Sequence, residues 1–443
     1  MLAPQHTKEI NTDAQRELSE RLDAYHRQDF RPADAALRKL YPRSQSRMVR
    51  KPLALVYRYV METADAYARA PERTFLTGDG QPMEATRAQE LLRWYGRLNM
   101  EEAFQLGNEL LAVQRTYIGA ILPRPMGGYR HQVWRPYQYE VTPHPDDPGS
   151  LSSAKEVRLA VPVETDRNRV RFGLLVMNQE RIYIKDGREE RPVFFGSTQN
   201  PFAGRLPLWY GREGSPLDGE FNAAVPDDLD AAQTAMCLEP SESNLIGRSQ
   251  SFGQRTLSGG SRVKPQEMEL GPELILPLED GEILANVQPS PTLGQYLDAG
   301  DRYLRLFFQL RGINADSVLK GAMTWLAKQM DLADRERFKV RMRRALEAAE
   351  ARFLQALVTV LNKGAVRMWP TDLHVTVGWR EQAWPADPQN EAAAAETLQR
   401  IGVESGPEQI ARRRQITIEE ATRVYQANMT LARAARAAAP SSP

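Results

Sequence analysis

Apolar residues spaced three or four positions apart predict several amphipathic helices in this chain. Two of them lie close together, at residues 292–311 and 331–363, and Asp331 is a good N-cap residue for the second. The second helix would be roughly 50 Å long at about 1.5 Å per residue. Turn-forming residues stand between them, from Gly312 to Ser317 and at Gly321. The pattern therefore predicts a helix, a flexible loop and a helix long enough to cross a whole domain.

The first half of the chain changes from helical to alternating periodicity at Arg115. Helices are predicted at 53–67, 84–97 and 100–114, whereas residues 1–40 are polar, weakly helical and have little to fix them. Short runs of β-formers bounded by turn residues then predict strands at 116–122, 132–141, 157–163, 169–177, 181–185 and 192–195. Asp186-Gly187 is a typical hairpin turn. Residues 115–215 are thus predicted to be mostly antiparallel, and the fold class is α+β.

The second half begins with a predicted helix at 227–251, which Pro240 is expected to interrupt or kink. A small β piece follows at 256–288, before the two helices described above. Further elements are predicted as a strand at 373–379, helices at 391–401, 406–414 and 418–436, and a disordered end from 437.

The composition limits the classes of function that the chain can have. The chain has 443 residues, 58 of them basic and 57 acidic, giving a net charge of +1. A protein that grips nucleic acid over its whole surface is more basic, whereas one past which DNA slides need not be. Cys237 is the only cysteine, which excludes an internal disulfide. No apolar run approaches the roughly 20 residues that span a bilayer, so we expect a soluble intracellular chain without a membrane partner.

Candidate chemistry is sparse. The glycines at 259–260 and Lys264 do not have the spacing of a phosphate-binding loop. His144 beside Asp146 and Asp147 is interpreted as a surface turn rather than a metal site, and His374 as a core or interface residue. We therefore expect no catalytic site, no metal and no cofactor.

A basic run in the long helix has two interpretations. It could line a nucleic-acid path, but a solvated helix face is the simpler interpretation because glutamates stand nearby. The run consists of Arg335, Arg337, Lys339, Arg341, Arg343 and Arg344.

The order of these elements resembles the portal proteins of tailed bacteriophages, most closely those of phages with long non-contractile tails. That order is a helix at 226–251, a small β insert at 256–288, a helix at 292–311, a loop and the long helix. Stretches 134–147 and 249–272 are similar to that family in the general types of residue that they contain. The resemblance covers about residues 40–430, and it lies in the order of elements rather than in any short motif.

The resemblance implies a portal fold with wing, stem, clip and crown, and a homo-oligomeric ring, usually of twelve subunits, at one capsid vertex. Double-stranded DNA would pass through the ring during packaging and ejection, without catalysis by the ring itself. The implied protein partners are the terminase large subunit, the head-completion or adaptor protein, and the major capsid and scaffolding proteins. The protein would be made in the host cytoplasm and reside in the virion.

The resemblance also implies a domain map. It assigns 1–225 to an N-terminal segment and the wing, 226–253 and 292–312 to stem helices, 254–291 to the clip, 313–330 to a tunnel loop, 331–385 to a long kinked helix and a wing strand, and 386–443 to a helical crown with a disordered tail. The residues implied to line the DNA channel are Ile313, Asn314, Ala315, Asp316, Ser317, Val318, Leu319, Lys320 and Lys328. Those implied to contact the motor and connector are Arg262, Lys264, Glu267, Glu269 and Glu273.

Two alternatives remain open at this point. One is a metal-dependent nucleic-acid-processing enzyme, with Mg²⁺ held by acidic residues drawn from Asp146, Asp147, Asp227, Asp228 and Asp230. The other is a portal-like protein of a prophage or gene-transfer particle, which would have the same sequence features as a phage portal.

Overall fold

The computed structural model describes residues 8–40, 53–124, 127–166, 169–214, 220–252, 254–258, 283–287, 293–310, 325–363, 368–379, 405, 407–408, 410–411 and 417–438. The chain forms two compact units, Met1–Arg380 and Glu381–Pro443. The main described element of the second unit is a helix at Ile418–Ala438. This confirms the predicted helix at 418–436.

Helices and strands alternate in the first unit. Its described helices are α1 (Lys8–His26), α2 (Arg31–Leu40), α3 (Leu55–Thr63), α4 (Ala85–Arg97), α5 (Met100–Gln114), α6 (Asp227–Phe252), α7 (Leu293–Leu310) and α8 (Trp325–Asn362). Its described strands are β1 (Glu72–Leu76), β2 (Thr116–Pro123), β3 (Tyr129–Trp134), β4 (Tyr139–Thr142), β5 (Glu156–Asp166), β6 (Arg169–Met177), β7 (Ile182–Asp186), β8 (Glu189–Pro192), β9 (Leu208–Arg212), β10 (Gln254–Ser258), β11 (Ile283–Val287) and β12 (His374–Gly378). The mixed content confirms the α+β class.

The centre of the unit is a three-stranded antiparallel sheet in the order β3-β2-β9. Helices α5 and α8 both contact β2, which is buried along nearly its whole length. A strand covered on both faces is expected to be continuously apolar. Glycine is required where the Tyr117 ring lies against the backbone, because a Cβ at Gly107 or Gly211 would come within 2.6 or 2.3 Å of that ring.

A second sheet is an antiparallel meander in the order β4-β5-β6-β7-β8. Asp186 pairs with Glu189 across the predicted hairpin turn, and Gly187 there has a φ of +61°. The turn at Asp186-Gly187 is thereby confirmed. The register of β5 against β6 shifts between Pro162 and Glu164, which marks a bulge in an otherwise regular ladder.

The structure of residues 8–40 differs from the prediction that the first 40 residues make few fixed contacts. Leu18, Leu22 and Tyr25 lie four and three positions apart on α1 and are buried. Asp23, also buried, forms an ion pair with Arg135. The apolar face of α1 is narrow, and the rest of its sequence is polar. The burial of this helix therefore depends on partners that are distant in the chain.

Strand β1, at Glu72–Leu76, is absent from the strands that the sequence predicts. Leu76 pairs with His374 and Glu72 with Gly378, so β1 and β12 form a two-stranded antiparallel sheet. His374 is exposed on β12, which contradicts a core position, while its interpretation as an interface residue stays a prediction. The partner strand lies about 300 positions away, and local periodicity contains no signal for such a pairing.

The long helix is a third correction, since α8 begins at Trp325 and not near Asp331. The intervening residues, Leu-Ala-Lys-Gln-Met, are strong helix formers and extend the helix towards its N-terminus. Lys328, assigned above to the tunnel loop, therefore belongs to α8.

A buried ionic network joins α8 to β1 and α5. Arg73 and Glu350 have side chains that are 3% and 0% exposed, and Nε and Nη2 of Arg73 donate to the two carboxylate oxygens of Glu350 at 2.6 and 2.9 Å. Tyr67 donates its hydroxyl to Glu350 at 2.8 Å, and Arg73 Nη1 reaches Glu101 at 2.5 Å. Burial raises the pKa of Glu350, and the hydrogen bonds from Arg73 oppose that shift. The network satisfies a charge pair inside an apolar core.

Aromatic rings surround this network. Phe353 on α8 makes edge contacts with Tyr95, Phe104 and Trp209, at centroid distances of 4.9, 5.6 and 5.3 Å. The Arg73 guanidinium lies 4.8 Å from the Tyr95 ring centroid. Rings from α4, α5 and β9 thus converge on one turn of α8 and fix its position.

We expect Glu350→Gln to lower the free energy of unfolding by about 3–5 kcal/mol, because it removes the negative partner of a buried guanidinium. Urea unfolding followed by circular dichroism measures the effect. The matched control is Glu156→Gln, which removes the partner of the more exposed Arg158 and should cost less than about 1 kcal/mol. Equal losses in the two variants would contradict a structural role for the Arg73–Glu350 pair.

Candidate functional site

The described elements from α6 to α8 follow the predicted order of a helix, a strand pair, a helix and a long helix. Strands β10 and β11 pair in antiparallel register, from Gln254 with Val287 to Ser258 with Ile283. Helices α6 and α7 contact each other, and Phe307 and Phe308 on α7 are buried with their rings 5.5 Å apart. The predicted order of elements in this segment is confirmed where the structure describes it, although the start of α8 differs from the prediction.

The N-terminal half of α6 is anchored to the core. Arg21 on α1 forms a 3.0 Å ion pair with Asp230. The buried Gln233 amide accepts a hydrogen bond from the Val56 backbone at 2.9 Å and donates to the Leu53 carbonyl at 2.6 Å. The start of α6 is therefore fixed to α1 and to the first residues of α3 by polar contacts that sequence periodicity does not reveal.

Pro240 lies inside α6, and the predicted interruption there is wrong. The helix is continuous from Asp227 to Phe252. Proline removes one backbone donor and normally costs helix stability. The next residue, Ser241, is buried and donates its hydroxyl to the Cys237 carbonyl at 3.0 Å. Packing of this segment in the core offsets the lost hydrogen bond.

The basic run on α8 is not one solvated face. Lys339 is buried and its ammonium lies 2.6 Å from the Asp65 carboxylate. Arg341, two positions later, is exposed and lies 3.4 Å from Glu213. Residues two apart face different sides of a helix, so these cations cannot share one surface. The preferred interpretation is wrong for Lys339, which is an internal ion-pair partner.

Most of the residues implied to line the channel and to contact the motor lie outside the described residues, namely Ile313 to Lys320 and the five clip residues from Arg262 to Glu273. Lys328 lies in α8. Their roles stay predictions.

Three of the five acidic residues of the enzyme alternative have described partners elsewhere. Asp230 is held by Arg21, as described above. Asp146 lies 3.7 Å from the His144 ring, and Asp147 accepts a hydrogen bond from the Ser153 hydroxyl at 3.2 Å. Among the described residues, no three His, Cys, Asp or Glu side chains are grouped as a metal site. Within the same residues, no helix is long and apolar enough to cross a bilayer.

A cavity that sequence reasoning missed lies beside α8. Its volume is about 410 Å³, and Arg352 contributes to its wall together with Tyr210 of β9. The one signal of this cavity in the sequence was Arg352, an arginine that lies between the buried Ala349 and Phe353 of the long helix. Such a residue is unusual in an apolar stripe, but its surroundings depend on the tertiary fold.

Comparisons with known proteins give structural matches only. No protein-family model and no curated protein sequence matches the chain. Three solved structures with a similar chain are the neck of an empty gene transfer agent particle computed with C6 symmetry (TM-score 0.41, 14% identity), the virion of a native gene transfer agent particle (0.39, 15%) and the neck of a native particle computed with C12 symmetry (0.38, 14%). Each match covers 79% of this chain, and 86%, 85% and 86% of the other chain, respectively. At these scores we base the proposals below on the geometry of this chain.

We expect Phe307→Asp to destabilise the fold by about 3 kcal/mol or more, because it places a carboxylate in a buried aromatic contact. The adjacent Leu306→Asp is a matched control on the same helix. Leu306 is 55% exposed and Phe307 is 5% exposed. The control should change stability by no more than about 0.5 kcal/mol. Urea unfolding measures both, and a reversed order would show that the buried face of α7 has been placed wrongly.

Proposed function

We propose that this chain is the subunit of a portal-like ring, through which double-stranded DNA enters and leaves a phage or phage-derived particle. The observation that carries the proposal is the order α6, β10–β11 pair, α7 and α8, with α6 and α8 both anchored in one core. Such an order fits a stem and clip that extend from a wing. The ring would have no catalytic activity, and ATP hydrolysis would belong to a separate terminase motor.

The two anchors suit a channel segment that must stay attached while DNA moves. Asp230 and Gln233 hold the start of α6, and Glu350 holds α8. The segment between them contains the predicted tunnel loop, whose Gly, Asn, Asp and Ser residues favour turns. In this proposal the core bears the mechanical load, and the loop changes conformation as the duplex passes.

An exposed apolar stripe on β6 supports assembly with further copies. Val170, Phe172 and Leu174 alternate along the strand, so they share one face, and they are 47%, 61% and 43% exposed. Apolar patches that remain open to solvent commonly mark interaction surfaces. We propose that this face packs against a neighbouring subunit in the ring.

The remaining partners follow from the ring. The clip residues, from Arg262 to Glu273, would contact the terminase large subunit and later the head-completion or adaptor protein. The wing and crown would contact the major capsid and scaffolding proteins, and the ring would reside at a virion vertex. The proposal covers an active phage, a prophage and a gene transfer particle, because each would use the same ring.

We expect the purified protein to form rings with a central hole and a mass near about twelve chains, because a closed cyclic assembly buries the same face on every copy. Negative-stain electron microscopy and light scattering measure this. Leu174→Glu should reduce assembly, whereas the control Leu92→Glu should not, although both leucines are 43% exposed. Monomers alone at every salt and protein concentration would overturn the proposal.

Deleting residues 313–320 tests the channel role separately. We expect rings of unchanged mass but less DNA packaged per particle, because the deleted residues would touch DNA and not the core. Quantifying encapsidated DNA measures the effect, with deletion of residues 439–443 as control. Loss of ring formation in the 313–320 deletion would refute the separation of assembly from DNA passage.

A further inference from the structure

Arg352 is a half-buried arginine whose described contacts include no carboxylate. Its Nη1 donates to the Tyr210 carbonyl at 3.0 Å, and its Cζ lies 3.8 Å from the Tyr210 ring centroid. Arg73 and Arg135, by contrast, are each paired with a carboxylate. A guanidinium has five N–H donors, so a single carbonyl leaves most of them available.

Arg212 adds positive charge to the same place. Its guanidinium lies 5.5 Å from the Tyr210 ring centroid and donates to the carbonyls of Gly149 and Phe221 at 2.8 and 3.0 Å. No described carboxylate lies within ion-pair distance of Arg212 either. Burial lowers the pKa of Arg352, and the charge of Arg212 acts in the same direction. A nearby anion would relieve both effects.

The cavity beside Arg352 has the lining that an anion needs. It is walled by α8, β9 and three loops, and none of its lining residues is Asp or Glu. Ser150, Ser152, Thr359 and the exposed Arg205 contribute hydroxyl and guanidinium groups. A second cavity, of about 380 Å³, is lined by Asp13, Glu140 and Glu220 among others. The absence of acidic lining residues therefore distinguishes the Arg352 cavity from this second cavity.

We propose that this cavity is a binding site for one oxyanion group, a carboxylate or a phosphate, held by Arg352. Arginine binds both groups through two parallel N–H donors. A volume of about 410 Å³ is suited to a small group and excludes a DNA duplex. The oxyanion has two possible sources, a free small anion or an acidic side chain of a second copy of this chain. This inference goes beyond the proposed function and does not depend on a DNA channel.

The test compares Arg352→Gln with wild type in the full-length protein, using sodium phosphate at constant ionic strength as the probe. Glutamine removes the charge and keeps a hydrogen-bond donor. Arg158→Gln is the control, because Arg158 is an exposed arginine already paired with Glu156. Isothermal titration calorimetry should show phosphate binding at least tenfold weaker in Arg352→Gln than in wild type and control. Phosphate should raise the melting temperature of wild type and control only.

The mass of the assembly distinguishes the two sources. For a free anion, Arg352→Gln loses phosphate binding and keeps the wild-type mass. For an acidic side chain of a second copy, Arg352→Gln has a smaller mass, and phosphate lowers the mass of wild type by competition. Equal phosphate affinity together with equal mass in Arg352→Gln and wild type would overturn the proposal. If Arg352→Gln does not fold, Arg205→Gln at the exposed rim replaces it, and unchanged phosphate affinity there would count against the site.

Discussion

The buried pair of Arg73 and Glu350 is the contact on which the rest of the described core depends. Glu350 lies on α8, Arg73 on β1, and β1 pairs with β12, which follows α8 in the chain. A contact about 280 positions apart in sequence therefore joins an early part of the unit to its end. Removing one partner of a buried ion pair lowers stability strongly, whereas replacing the whole pair by apolar residues often leaves stability unchanged. The pair therefore specifies the position of α8 rather than adding stability. Because both carboxylate oxygens of Glu350 are engaged, α8 can neither rotate nor slide by a turn without leaving a buried charge unsatisfied.

The position of α8 in turn determines what its two ends can do. Phe353 and Leu346 hold the C-terminal half of the helix in the core, and the buried Lys339, nearer the N-terminus, pairs with Asp65. Helix α6 has the same arrangement in reverse, with its first turns fixed by Arg21 and the backbone around Leu53. The elements between these two anchored halves are therefore connected to the core at both ends. The stem and channel loop of the proposed ring would have the same mechanical requirement.

Local periodicity predicted the elements whose own residues carry a full helical or strand pattern of apolar positions. Strand β2, the hairpin at Asp186-Gly187, and helices α4 and α5 are of this kind. The elements it missed depend on distant partners: α1 is fixed through Asp23 and Arg135, and β1 through its pairing with β12. The start of α8 was placed late because Asp331 was read as a cap, although the residues before it are good helix formers. For the candidate site, the sequence yields a predicted stem, which stays a prediction. The Arg352 cavity forms only where α8, β9 and three loops meet, and no spacing in the sequence predicts that arrangement.

The placement of charge bears on how a chain with a net charge of +1 would let DNA pass through the proposed ring. Three cations form ion pairs with carboxylates inside the first unit, so they stabilise the fold and cannot attract a phosphate backbone. They are Arg73, Arg135 and Lys339. Each additional phosphate contact strengthens binding and slows the release that transport requires. A ring through which DNA must move therefore benefits from cations that are internally neutralised and from a small number of channel residues. Arg352 and Arg212 differ from Arg73 and Arg135 because no described carboxylate pairs with them. In our proposal an oxyanion bound in the cavity neutralises Arg352.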